Sequence, residues 1–167
     1  MAGDAFHQAL TLLEPILPQP IQDRQLERLH THLSLIRQWN AVGSLVSEGD
    51  MAFLEERHLI DSLSLIPYVL QCCGPTGDML DVGTGGGFPI IPIKCVLPDL
   101  HVVIVERSVR KAGFLHRVCA TLQLGRVEIA AQQSLANPGD LAAHIAGMLT
   151  VEAINDREGV LGGIELV

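Results

Sequence analysis

Apolar residues return at helical spacing in the first part of the chain. Leu26, Leu29, Leu33, Ile36 and Trp39 recur at steps of three and four with polar residues between them, which predicts an amphipathic helix. Asp23 just before it and Glu27 in its first turn supply the N-terminal signal. Phe6, Leu10 and Leu13 predict a shorter upstream helix. Pro15, Pro18 and Pro20 end it, because proline lacks the amide hydrogen and collides with the preceding turn. Gly43, Ser44, Ser47 and Gly49 mark a turn. After that turn Asp50 is placed to cap a segment opening with Met51 and Leu54, in which Leu59, Leu63 and Ile66 share one face.

The period changes near Gly74-Pro75-Thr76-Gly77. Met79 to Val82 predicts a short strand, and Phe88 to Leu97 a helix with Pro89 and Pro92 in its first turn, where proline is tolerated. The β-branched run His101 to Val105 predicts a buried strand. Ser108 is placed to cap a helix through Leu124 that Gly125 ends, and Val127 to Ala131 predicts a third strand. Strands alternating with helices predict an α/β fold whose parallel sheet is covered on both faces. The expected organisation is a helical cap over residues 1–73 and a Rossmann-like core over 74–167.

Composition narrows the function classes. The chain has 167 residues, enough for one domain with a sizeable core, and its 48% hydrophobic content excludes a disordered protein. A net charge of −8 excludes a protein that coats nucleic acid through overall positive charge. A local basic patch stays open. Arg107, Arg110, Lys111 and Arg117 form the densest cluster, either a phosphate contact or a solvated helix face. Cys72, Cys73, Cys95 and Cys119 have no metal-ligand or disulfide spacing, so no metal is expected and reduced thiols in a cytoplasmic protein fit best. No signal peptide and no membrane span are expected. His30 and His32, two apart, point to different helix faces and make a poor metal pair. His58 and Asp61, three apart on a helix, are expected to pair. Trp39 is expected to pack the N-terminal helix.

The chemistry concentrates in Asp81-Val82-Gly83-Thr84-Gly85-Gly86-Gly87-Phe88, which follows a predicted strand and opens a predicted helix. Glycines there allow a sharp turn and close approach of a ligand. Glu106 ends the next predicted strand, about 20 residues on, where an acid holds a ribose diol. The dinucleotide pattern G-x-G-x-x-G fails, because its third glycine would fall on Phe88 or Ile90. An acid followed by Gly83, Gly85 and Gly87 is instead similar to the first motif of S-adenosylmethionine-dependent methyltransferases. A sulfonium carries positive charge and no pyrophosphate, so an acid beside the loop suits it.

The extended loop Asp81 to Pro92 resembles that of the glucose-inhibited division protein B family, the bacterial 16S ribosomal RNA guanine-N7 methyltransferases. Arg57-His58-Leu59-Ile60-Asp61-Ser62-Leu63, Trp39-Asn40, and Arg110-Lys111 followed by Phe114-Leu115 are similar to that family's segments. The resemblance runs from about Leu26 to Val127. It implies S-adenosylmethionine as cofactor, with Gly83 and Phe88 against it, Asp81 and Gly85 in the same turn, and Glu106 on the ribose. It also implies that Ser134 and Leu135 border the adenine. The partner it implies is 16S ribosomal RNA or the small ribosomal subunit, met by a monomer.

Departures gather late in the chain. Leu135 stands where the family has an acid, Gln133 where it usually has an arginine, and Glu152 where a Thr-x-Arg-Ala stretch has its arginine. A fourth strand is expected near Met148 to Ile154 and a further segment over Leu161 to Val167. The sheet is then expected to be incomplete on its C-terminal side. The alternative function is a non-catalytic relative that binds adenosylmethionine or RNA without turnover.

Overall fold

The computed structural model describes residues 2–131. The expectations for Gln133, Ser134, Leu135, Glu152 and the strands beyond Ala131 lie outside the described residues. Two helices open the chain, α1 (Ala2–Leu13) and α2 (Asp23–Gly43). Leu29, Leu33 and Ile36 of α2 are buried, as the period requires. The cap of α2 is Gln22, whose amide donates to the Gln25 side chain at 2.8 Å. Asp23 is therefore the first helical residue, where its charge favours the helix dipole.

Residues Glu48–Phe53 form a 3-10 turn capped by Ser47, whose hydroxyl accepts from the Asp50 amide. The capping role expected of Asp50 thus belongs to Ser47. The Asp50 carboxylate instead takes hydrogen bonds from the Ser47 hydroxyl (2.6 Å) and Arg57 (2.8 Å). A π-helical turn, Leu54–Leu59, leads into α3 (Ile60–Ser64) and α4 (Ile66–Cys73). Leu54, Leu59, Leu63 and Ile66 are wholly buried.

Three parallel strands follow in the order β1-β2-β3: β1 (Asp78–Val82), β2 (His101–Glu106) and β3 (Val127–Ala131). They are linked by α5 (Ile90–Val96) and α6 (Val109–Leu122). The central β2 is buried from Val102 to Glu106, which its β-branched run anticipates. Its first residue, His101, touches Asp78 at 2.8 Å and Glu128 at 3.2 Å, joining all three strands at the end away from the glycines. Leu80 and Val82 of β1 are exposed among the described residues.

Ser108 caps α6 as expected, its hydroxyl accepting from the Lys111 amide. The helix ends at Gln123 rather than Gly125. Gln123 takes the left-handed conformation (φ 52°) directly after Leu122, the last buried residue of the helix, and the chain then turns back toward β3. Lys94 is buried in α5, and its ammonium donates to the carbonyls of Pro98 (2.6 Å) and Leu100, closing the end of that helix. Burial holds its pKa below the ordinary lysine range. Cap and sheet share one core, in which Leu33, Ile36, Leu59 and Leu63 belong to the same buried cluster as Ile91, Ile104 and Leu115.

Candidate functional site

The glycine turn leaves the carboxyl end of β1. The Gly83 amide donates to the Val105 carbonyl at 2.8 Å, carrying the β1–β2 ladder one residue further. The chain then turns through Gly83 (φ 81°), Gly85 (φ 61°) and Gly87 (φ 90°), a conformation that L side chains adopt only under strain. The two ends of the turn differ. A β-carbon on Gly87 would lie 2.6 Å from Ile91 Cγ1 and 3.3 Å from His32 Nε2, so that end is packed shut. A β-carbon on Gly83 would meet no heavy atom of the described residues within 4 Å, so they leave that end open.

Two acids flank the open end. Glu106 is only 6% exposed. Its Oε2 accepts from the Gly85 amide at 3.1 Å and its Oε1 from the Ser108 amide at 2.8 Å. Each oxygen retains a lone pair, so the carboxylate can still accept from a ligand hydroxyl. Asp81 has a buried Oδ2 with no hydrogen-bond partner among the described residues. Burial raises the pKa of its carboxyl above the ordinary value; the Thr84 hydroxyl works against that, and the charge of Glu106 adds to it. The shape of the turn and the sign of its charge both suit a cationic nucleoside.

The cap braces this turn. Asn40 Oδ1 accepts from the amides of Leu45 (2.8 Å) and Val46 (2.9 Å). Those bonds set the Leu45 carbonyl 3.3 Å from where a β-carbon on Gly85 would stand. His32 is fully buried, and its Nε2–H donates to the Gly86 carbonyl at 2.9 Å. Burial drives its pKa down to about 4, so the imidazole is neutral at pH 7. Its ring packs 4.9 Å from that of Phe88, and His58 packs against Phe88 at 4.9 Å as well. The bracing by Asn40 and His32 escaped the sequence reading. The available signal was a polar residue at each of two positions in the buried stretch of an amphipathic helix.

The Arg57-His58-x-x-Asp61-Ser62 segment reaches the turn here. With Leu65, Phe88 and Pro89 it lines a hollow of about 260 Å³. The expected His58–Asp61 pair is absent. His58 Nε2 lies 3.9 Å from Asp50, the carboxylate that also holds Arg57. The π-helical turn over residues 54–59 widens the helical spacing at His58, so the two side chains line the same hollow without pairing. Trp39 packs against the core, partly buried as expected. Cys95 and Cys119 are not poised as nucleophiles, since burial pushes them to about 12 and about 11. No helix among the described residues is long and apolar enough to cross a membrane.

The structure brings Asp81, Gly83, Gly85 and Glu106 together at the carboxyl ends of β1 and β2, with Phe88 closing the turn. Ser134 and Leu135 lie outside the described residues. A parallel sheet with a glycine turn after its first strand and an acid ending its second defines a Rossmann-like fold of the methyltransferase class. The chain belongs to the rRNA small subunit methyltransferase G family, the glucose-inhibited division protein B family, whose model matches residues 25–139.

Curated relatives agree. Over 140 residues the chain is 33% identical to a ribosomal RNA small subunit methyltransferase G of Desulfotalea psychrophila, covering 83% of this chain and 63% of the relative. It is 36% identical over 105 residues to that of Methylobacillus flagellatus, covering 63% and 49%. Against that of Halorhodospira halophila it is 36% identical over 118 residues, covering 70% and 54%. The chain thus spans from about half to 63% of the length of these relatives.

Proposed function

We propose that this protein transfers a methyl group from S-adenosylmethionine to N7 of a guanine in 16S ribosomal RNA. The observation that carries the reading is the glycine turn, open at Gly83 and flanked by Asp81 and Glu106, in a chain of the methyltransferase G family. The residues present fit the cofactor. Glu106 has free lone pairs for the two ribose hydroxyls, and Gly83 and Gly85 let the nucleoside approach the backbone. Asp81 supplies the negative charge a sulfonium favours, and Phe88 supplies an apolar wall. Residues 1–73 serve as the cap that fixes the turn, through Asn40, Leu45 and His32.

When bound, the cofactor supplies an electrophilic methyl on a positively charged sulfur. Guanine N7 carries a free lone pair and no proton, so the chain needs no general base. Its contribution is to hold the acceptor in line, an effect that can account for roughly 7–11 kcal/mol of a barrier. The same reading makes the small ribosomal subunit RNA the partner of a cytoplasmic monomer.

The test pairs calorimetric titration with S-adenosylmethionine and its demethylated product with a label-transfer assay on 16S RNA from a strain lacking the modification. Saturable binding and label at N7 of one guanine are expected. Folded protein that binds neither compound and transfers no label overturns the proposal. Binding without transfer would instead leave the non-catalytic relative.

A further inference from the structure

The chain is acidic overall, yet the stretch between Glu106 and Glu128 carries Arg107, Arg110, Lys111, Arg117 and Arg126 and no acid. Among the described residues, none of these five is in an ion pair, whereas Arg37 and Arg57 both are. A strip of unneutralised cations in a protein of charge −8 is a local field of opposite sign to the whole.

This strip borders an apolar hollow. Between the end of α2 and the first half of α6 lies a space of about 230 Å³ whose floor is Trp39, Leu45 and Phe114. Val42 and Val109 line it and are 65% and 52% exposed. Two arginines frame it. Arg117 lies 5.1 Å over the Trp39 ring, and Arg110 donates to the Val42 carbonyl at 2.8 Å. Among the described residues neither arginine meets a carboxylate there, so both charges stay unneutralised by them. The Trp39 indole N–H has no partner among the described residues. Leu45 is the wall shared with the glycine turn, and Lys111 Nζ lies 3.9 Å from where a β-carbon on Gly85 would stand.

We infer that this hollow is a second RNA contact, seating an unstacked base of a single strand whose phosphates run along the basic face of α6. Single-stranded RNA offers the two features the hollow lacks, a flat apolar face and adjacent negative charge. A wholly apolar ligand would not use the arginines, and a free anion would not use the aromatic floor. The inference rests on the proposed RNA substrate and goes beyond it in placing a contact outside the cofactor turn.

Trp39 is the only tryptophan in the chain, so its fluorescence reports on the hollow directly. The experiment titrates the full chain, with and without S-adenosylmethionine, using a short single-stranded RNA and then 16S RNA, over a range of salt. Quenching of Trp39 by RNA is expected. The double variant Arg110→Gln/Arg117→Gln is expected to lower the slope of log K against log salt by about 1.4, from roughly 0.7 per phosphate contact on a single strand. Val109→Glu, at an exposed position, places an acid on the rim and is expected to abolish the quench while leaving cofactor affinity unchanged.

RNA binding with no change in Trp39 emission overturns the inference and leaves the methyltransferase reading intact. So does a salt slope unaffected by the double variant. Quenching by a ribosomal protein but not by RNA overturns it in favour of a protein-docking surface. Loss of cofactor binding in the wild-type chain would overturn the proposed function instead.

Discussion

Alanine at Gly83 and at Gly87 separates the two ends of the glycine turn. Both positions have φ in the left-handed region, at 81° and 90°. An L side chain there costs roughly 1–2 kcal/mol. At Gly83 the described residues add no packing penalty, because none of them lies within 4 Å of the new β-carbon. At Gly87 it would stand 2.6 Å from Ile91 Cγ1 and 3.2 Å from Leu115 Cδ2, both in the core. Overpacking of that kind adds about 1–3 kcal/mol. For a chain of this size each kcal/mol shifts the melting temperature by about 2–4 °C. Gly83→Ala is therefore expected to lower Tm by about 2–8 °C, and Gly87→Ala by clearly more. Cofactor affinity should follow the opposite order. The Gly83 β-carbon points into the open space proposed for the nucleoside and should weaken binding about tenfold or more, equivalent to about 1.4 kcal/mol. The folded Gly87→Ala protein should lose less. Thermal melts and calorimetric titration of both variants decide the matter. A Gly83→Ala protein that binds S-adenosylmethionine as tightly as the wild type would refute the placement of the nucleoside at that end of the turn.

Asp81→Asn should separate stability from binding. The folded Asp81 carboxyl holds its proton more tightly than in the unfolded chain, so its ionisation costs stability as pH rises above the ordinary carboxylate value. The asparagine variant without ligand should melt higher at pH 7 yet bind S-adenosylmethionine more weakly, with a smaller change for the uncharged demethylated product; a lower melting point would contradict this. His32 has the opposite sign. Its pKa falls from 6.5 to about 4 on burial, so the stability tied to its neutral form is present above pH 6.5 and is lost as pH falls toward 4. The loss should reach about 3 kcal/mol, and denaturant titration should find a shallower acid loss in His32→Gln. Lys94→Met would leave the Pro98 and Leu100 carbonyls without their donor. It should cost about 2 kcal/mol or more in chemical denaturation.

Much of this architecture was legible in the pattern of residues. The period-three-and-four repeat from Leu26 to Ile36 and the β-branched run of β2 each report burial on a definite face, and burial is what the fold selects. Ser108 could be assigned as a cap because the rule involves only residues a few positions apart. The misassignments arose where local rules competed or a non-local contact decided. Ser47 and Asp50 are both competent caps, and only the position of Arg57 shows that Asp50 is engaged elsewhere. Gly125 is the better left-handed residue by propensity, yet the buried face of α6 ends at Leu122 and forces the turn onto Gln123. The His58–Asp61 pair fails because spacing rules presume 3.6 residues per turn, and a π-helical turn breaks that phase. At the site, Asp81, Gly83 and Glu106 could be picked out because they lie at strand ends fixed by topology. The bracing by Asn40 and His32 depends on the docking of α2 across the turn, which no short-range pattern encodes.

Glu106 gives the site a further property through the geometry of its two oxygens. One holds the Gly85 amide in the turn proposed for the cofactor, and the other holds the Ser108 amide at the start of α6. The same side chain thus fixes the glycine turn and the helix that carries Arg110, Lys111 and Arg117. The glycine turn and the first turn of the basic helix are thus held by one buried acid. If both ligands bind as proposed, any effect of one on the affinity of the other must be reciprocal. An acid at the end of β2 could hold a ribose from many surroundings. Placed between these two amides, it also anchors the residue that caps α6.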